Sequence, residues 1–194
     1  MREWILNHDH SDQAGQRRRG TVVQIIDGLG RGGAERLLAL YAPELARQGF
    51  HVEVVVLQVR DGNPEAARLE EAGITVHLVP LRKLRNLGQI RRAIARIAAL
   101  RPTVIHAHLE ASIFLAGLAS ARLGVPVVAT LHTLESPNGF NRQSLRLWVM
   151  NRMLANAYDR VICLSDAIRE IARSRGLARA PLIALANGIP LPAR

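Results

Sequence analysis

The chain of 194 residues has one cysteine, one lysine, few aromatic residues and no apolar run long enough to span a bilayer. Cys163 has no second cysteine to pair with and sits in the apolar run Val161 to Leu164, so a buried structural thiol and a reducing, cytoplasmic setting are expected. Charges interrupt the apolar stretches well short of the roughly 18 to 20 residues that a membrane-spanning helix needs. In the first twenty residues, only Trp4, Ile5 and Leu6 form an apolar patch ahead of Arg17, Arg18 and Arg19. No secretory signal is expected there, and residues 1–20 read as a mobile tail. Aromatic residues make up 4% of the chain and no nucleic-acid-binding motif is found, so nucleic acid is not the expected partner.

What is present is apolar content of 48%, enough for one substantial core, and a formal charge of +10. Such a charge suits a polyanionic partner, an anionic lipid surface or a phosphorylated substrate. Lys83 is the only lysine, and a genome that favours arginine codons would produce the same excess.

From Thr21 onward, short β-branched runs alternate with longer helical patterns, which predicts a Rossmann-like, doubly wound α/β domain with a mostly parallel sheet. The expected strands are Val22 to Asp27, Val52 to Leu57, Thr75 to Val79, Val104 to His106, Val127 to Thr130, Arg160 to Leu164 and Leu182 to Leu185. Several are continuous apolar runs, the pattern of strands covered by helices on both faces. Helices are expected over Ala34 to Gln48, Pro64 to Ala72, Leu87 to Leu100, Glu110 to Leu123, Ser144 to Ala157 and Ser165 to Arg175. Gly49, Gly124 and Gly176 are expected to stop three of them, and Ser165 or Asp166 to cap the last.

Between the first strand and first helix runs Asp27-Gly28-Leu29-Gly30-Arg31-Gly32-Gly33-Ala34-Glu35-Arg36. Glycines there are expected to take positive φ and let backbone approach a ligand, while the helix N-terminus attracts an anion. Gly28, Gly30 and Gly33 also satisfy the G-x-G-x-x-G spacing of a dinucleotide site. That reading wants an acidic residue at the end of the second strand, where Gln58, Val59 and Arg60 stand instead, although Arg60 would suit a 2′-phosphate.

Ligands of open α/β sheets bind beyond the carboxyl ends of the strands, where His106, His108 and His132 fall. Two residues apart in extended chain, His106 and His108 face one side and could share a site with His132. Three imidazoles make zinc conceivable, yet only Glu110 and Glu135 lie near in sequence, and no metal is expected. His132 opens a connection containing Ser136, Pro137, Asn138 and Gly139, the kind of loop where function concentrates. As a neutral imidazole it could hydrogen-bond a sugar hydroxyl or support a developing charge.

From Leu81 to Arg101 the chain carries Arg82, Lys83, Arg85, Arg91, Arg92, Arg96 and Arg101 without an acidic residue, while Leu87, Ile90, Ile94, Ile97 and Leu100 recur at helical spacing. This is an amphipathic basic helix. Its functional reading is docking on anionic lipid through Arg82, Lys83, Arg85, Arg91 and Arg92; its bland reading is a solvated outer face.

Gly32-Gly33-Ala34-Glu35-Arg36, Val104-Ile105-His106-Ala107-His108, Pro126 to His132, Arg160-Val161-Ile162-Cys163-Leu164-Ser165 and Asn187-Gly188-Ile189-Pro190 follow one another in a way that resembles the N-terminal domain of family 4 glycosyltransferases, over about residues 21 to 190. The resemblance implies the N-terminal half of a GT-B fold. Residues 21–186 would be the acceptor-side domain and 187–194 the start of an interdomain linker. The reaction implied is sugar transfer from a nucleotide sugar with retention of configuration, with no further cofactor and no metal. Gly32 and Gly33, flanked by Arg31 and Glu35, would lie near the donor phosphates or the acceptor. His132 would be the active-site histidine, with His106 and His108 behind it. The implied partners are a C-terminal donor-binding domain or subunit, a glycan or lipid-linked acceptor, and the inner face of a membrane. Because the family's basic pair and nucleotide-sugar acidic motif have no counterpart before Arg194, the chain alone is expected to be inactive. Pro190 stands where many members carry aspartate. The other readings are a nicotinamide-dependent oxidoreductase domain and a non-catalytic binding module of the same fold.

Overall fold

The computed structural model describes residues 19–81, 84, 86–132, 142–177 and 179–188, the side chains of 142–147 excepted. Residues 1–18, Arg82, Lys83, Arg85, the 133–141 connection and Ile189 with the rest of the linker lie outside the described residues. Strands β1 (Thr21–Ile26), β2 (His51–Val56), β3 (Thr75–Leu78), β4 (Val104–His108), β5 (Val127–Leu131), β6 (Arg160–Cys163) and β7 (Leu182–Ala184) alternate with helices α1 (Gly33–Arg47), α2 (Pro64–Glu71), α3 (Leu87–Ala99), α4 (Glu110–Leu123), α5 (Arg142–Asn156) and α6 (Asp166–Ala172). All seven strands are parallel, in the order β3-β2-β1-β4-β5-β6-β7. The order reverses between β1 and β4, which sets the topological switch point of a Rossmann-like fold there.

Local chemistry explains the boundaries. Gly49, at φ 92°, ends α1: its N–H donates to Ala46 O and that of Phe50 to Leu45 O, a Schellman pair. Asn86 accepts from the N–H of Gln89 at the start of α3, and Ser165 accepts from that of Ile168 at the start of α6. Gly124 closes α4 at φ 69°. The last helix is shorter than its pattern suggests: α6 gives way to a π turn over Arg173–Leu177 as the chain turns through Gly176 at φ 97°. β4 runs two residues past the expected end. Placed between β1 and β5, its last residues pair on both sides, His108 opposite Ile26 and Thr130.

The sheet divides two cores. On one face α1 and α2 pack Leu38, Ala42 and Leu69 against Ile26, Val54 and Val56. On the other, α3 to α6 pack Ile97, Leu115, Leu154 and Ala172 against Ile25, Ile105, Ala129 and Val161. The second face of β4 to β6 differs from the expectation of helices on both sides. Among the described residues it opens into a cavity of about 590 Å³ walled on one side by α1, because α4, α5 and α6, which follow β4, β5 and β6, all pack on the opposite face.

Candidate functional site

Three features meet at the carboxyl ends of β1, β4 and β5. The first is the glycine-rich turn. None of Gly28, Gly30, Gly32 and Gly33 has positive φ, contrary to expectation. Space at the turn, rather than backbone freedom, is what these glycines supply. A Cβ on Gly28 would stand 2.7 Å from Cδ of Arg60, and one on Gly30 would stand 3.4 Å from Oδ2 of Asp61. The β2–α2 turn is therefore laid across the first two glycines. That turn is held by Asn63, whose Oδ1 accepts from the N–H groups of Leu29 (3.1 Å) and Arg60 (2.8 Å). With Arg60 and Asp61 covering Gly28 and Gly30, the path a dinucleotide pyrophosphate would follow is occupied, which disfavours the oxidoreductase reading.

Gly32 is the N-cap of α1 and Gly33 its first residue; a Cβ on Gly33 would meet nothing within 4 Å. Glu35 is buried and folds back onto Gly32 in the first turn, so the positive end of the helix already faces one carboxylate of the chain. Arg31 is exposed beside it.

The second feature is Asp27, which sequence reasoning assigned only to the end of a strand. Its buried carboxylate accepts from Ala111 N (3.2 Å), Ser112 N (2.8 Å) and Ser112 Oγ (2.6 Å). Asp27 thus caps α4 from across the switch point. The cap is needed because the residue in the N-cap place is Leu109, which has no side-chain acceptor and is held at φ 68°. A helix opening on leucine was the available signal that an acceptor must come from elsewhere.

The third feature is a buried polar cluster on the α1 face. Alternation along β4 sends Ile105 and Ala107 into the α3–α6 core and His106 and His108 to the other side. On β5, Thr130 and His132 follow the same rule. The rings of His106 and His108 are 4.2 Å apart between centroids, and those of His108 and His132 are 5.4 Å apart. His106 Nε2 lies 2.8 Å from Thr130 Oγ1. His108, fully buried, has Nδ1 at 3.2 Å from His132 Nε2, and its Nε2 at 2.7 Å from Tyr41 Oη and 3.0 Å from Gln24 Oε1. Tyr41 Oη donates to Gln24 Oε1 at 2.9 Å. In this orientation of the Gln24 amide its Nε2 is buried with no hydrogen-bond partner among the described residues, a cost of about 1–3 kcal/mol.

Burial keeps these rings uncharged at neutral pH. It pushes His106 down to about 3, with repulsion from His132 as the smaller cause. His108 lies well below the usual histidine range through burial, then repulsion from His106 and His132. Burial also lowers His132 and raises Tyr41. The sequence-predicted trio is brought together, with Gln24 and Tyr41 added to it. Neither was legible: Gln24 interrupts an apolar strand, and Tyr41 occupies a core position of α1. Among the described residues no group of three His, Cys, Asp or Glu could hold a metal ion.

The cavity is floored by His106, His108 and Thr130, walled by Tyr41 and Leu40 of α1, and closed at its far end by Ile162 and Leu185. Helix α3 lies over the opposite face of the sheet. It buries Ile90, Ala93 and Ile97 and exposes Arg91, Arg92 and Arg96, the amphipathic division expected. No helix among the described residues is long and apolar enough to cross a membrane.

The architecture is similar to that of Anabaena Alr3699/HepE solved with UDP and glucose: TM-score 0.73 and 21% identity, with 88% of this chain and 45% of that chain covered. It is also similar to a glycosyltransferase from Rickettsia africae ESF-5 (TM-score 0.69, 14% identity, 89% and 44% covered). The UDP-GlcNAc 2-epimerase of Methanocaldococcus jannaschii shares the fold (TM-score 0.59, 11% identity, 86% and 45% covered). The chain therefore spans less than half the length of these solved relatives. No curated protein matches it. The family model of Glycosyltransferase Family 4 matches residues 31–191, a span that holds the N-terminus of α1, the clustered His106, His108 and His132 and every strand after β1, and the chain belongs to that family.

Proposed function

We propose that this chain is the acceptor-side domain of a retaining, nucleotide-sugar-dependent glycosyltransferase and works with a C-terminal donor-binding domain or subunit. The observation that carries the reading is the placement of uncharged His132, beside buried His108, at the carboxyl ends of β4 and β5 in a domain of this family. In the proposed complex His132 contacts the transferred sugar, Gly33 leaves room for substrate to approach the α1 N-terminus, and Arg31 adds positive charge there. No metal or organic cofactor enters. The acceptor is a glycan or a lipid-linked glycan.

Departure of a nucleoside diphosphate needs positioned positive charge, and such electrostatic stabilisation is usually the largest contribution to rate. Arg31 is one exposed cation beside buried neutral rings and the side chains of Asp27 and Glu35, so most of that charge is assigned to the partner domain. The test is transfer from a panel of nucleotide sugars by this chain alone and by the chain joined to a candidate donor-binding domain. Transfer only by the joined form, lost on His132→Ala, is expected. Robust turnover by the isolated chain would refute the assignment.

The exposed row Arg91, Arg92 and Arg96 supports a peripheral docking surface for the inner face of a membrane, each arginine near the headgroups contributing on the order of 1 kcal/mol. Because α3 and the histidine cluster lie on opposite faces of the sheet, docking leaves the cavity free. The chain should sediment with phosphatidylserine vesicles at low salt and lose this on Arg91→Glu with Arg92→Glu; equal binding by the double variant would sink the idea.

A further inference from the structure

We propose that Gln24 and His108 are positioning residues that hold His132 in its Nε2–H tautomer and leave Nδ1 as a bare hydrogen-bond acceptor. The chain of bonds allows one assignment once the amide oxygen of Gln24 is fixed. That oxygen only accepts, and it faces Tyr41 Oη at 2.9 Å and His108 Nε2 at 3.0 Å. Tyr41 spends its single proton on Gln24, so toward His108, 2.7 Å away, its oxygen can only accept. Both neighbours of His108 Nε2 are therefore acceptors, and Nε2 carries the proton.

The rest follows from neutrality. A neutral imidazole has one N–H, so His108 Nδ1 is bare and accepts from His132 Nε2 across 3.2 Å. His132 has then used its proton, and its Nδ1 has only a lone pair; no described residue is hydrogen-bonded to that atom. Burial depresses all three histidines, which keeps a second proton off the chain near neutral pH.

The consequence for recognition rests on the reading of His132 as the residue beside the sugar. A bare Nδ1 takes a hydrogen bond from a hydroxyl and has nothing to give a carbonyl or phosphate oxygen. The ligand group that complements His132 is thus a hydrogen-bond donor, which on an unsubstituted sugar is a hydroxyl.

Nitrogen NMR of the chain labelled with [15N]histidine reads the tautomer directly, since protonated and bare ring nitrogens resonate far apart, and His132→Gln identifies the signals. The unaltered chain is expected to show His132 and His108 each protonated at Nε2 alone. Tyr41→Phe retains the Gln24–His108 bond and should leave the tautomer unchanged. Gln24→Leu removes the accepting oxygen and should release His132 into a mixture of tautomers. A proton on Nδ1 of His132 in the unaltered chain, as a turned Gln24 amide would give, overturns the proposal. So does a single Nε2–H tautomer that survives Gln24→Leu; should that variant not fold, the unaltered chain decides. Absence of sugar transfer in the joined enzyme would count against the function and leave the tautomer result standing, so the two failures are distinguishable.

Discussion

Replacing Asp27 by alanine removes three hydrogen bonds to one carboxylate and leaves the N–H groups of Ala111 and Ser112 facing an apolar methyl. Loss of a helix cap costs about 1 kcal/mol, rising to about 2, and hydrogen bonds to a charged group contribute about 1.5–3 kcal/mol. These contributions describe the same contacts and do not sum. A loss of about 3 kcal/mol is expected, since Ser112 is fully buried and water cannot replace the carboxylate without a cavity. For a domain of this size that corresponds to a fall in Tm of roughly 6–12 °C. Asp27→Asn retains one acceptor but turns an amide donor toward the helix, so it should fall between the parent and the alanine variant. Urea unfolding with an unchanged m-value gives the free energies. A cost below about 0.5 kcal/mol in the alanine variant would refute the capping role.

Acid unfolding should report the buried histidines. The pKa of His106 falls from 6.5 in the unfolded chain to about 3 in the fold, so the unfolded state binds the extra proton first. Its contribution is complete above pH 6.5 and is lost progressively as pH falls toward 3. In thermal melts His106→Gln should show a shallower decline than the parent over that window; parallel curves would contradict it. The glycine turn makes a contrast between two substitutions. Gly33→Ala meets open space at negative φ and should change stability by less than about 0.5 kcal/mol. Gly28→Ala must displace the Arg60 side chain and should cost about 1 kcal/mol or more, measured by the same urea titration. Asn63→Ala removes the acceptor that ties Leu29 and Arg60 together and abandons a left-handed residue at φ 53°, and should cost about 2 kcal/mol by chemical denaturation.

Most strands and helices, and the stops at Gly49 and Gly124, were legible because each is dictated by neighbours in sequence: apolar period, a glycine after the last turn, a serine before the first. The meeting of His106 and His108 was legible for the same reason, since residues two apart in a strand share a side. Asp27, Gln24 and Tyr41 were not, because what gives each its role lies far along the chain. Asp27 meets Ser112 across 85 positions, and Gln24 meets His108 across 84. In a strand pattern a lone glutamine reads as an interruption, and a tyrosine on an apolar helix stripe reads as core. The glycine turn shows the opposite error: glycine content suggested unusual dihedrals, whereas the loop uses glycine to let the neighbouring turn lie against it.

Strand register is what unites these observations. Ile105, Ala107, Ala129 and Leu131 all face the α3–α6 core, and the residues between and after them are His106, His108, Thr130 and His132. A slip of one residue in either strand would drive imidazoles into a core of aliphatic side chains and turn that core's own residues out. The apolar layer on one face therefore fixes the polar cluster on the other, without any contact between the two. The same constraint explains how a fully buried histidine is tolerated. His108 is brought within reach of Gln24, its diagonal neighbour on β1, and of Tyr41 by the pairing of β4 with β1 and by the packing of α1, so its ring finds its partners as a result of forming the sheet. Each of these hydrogen bonds joins residues from two different elements, and loss of any one of the elements would expose the groups of the others to the full cost of burial.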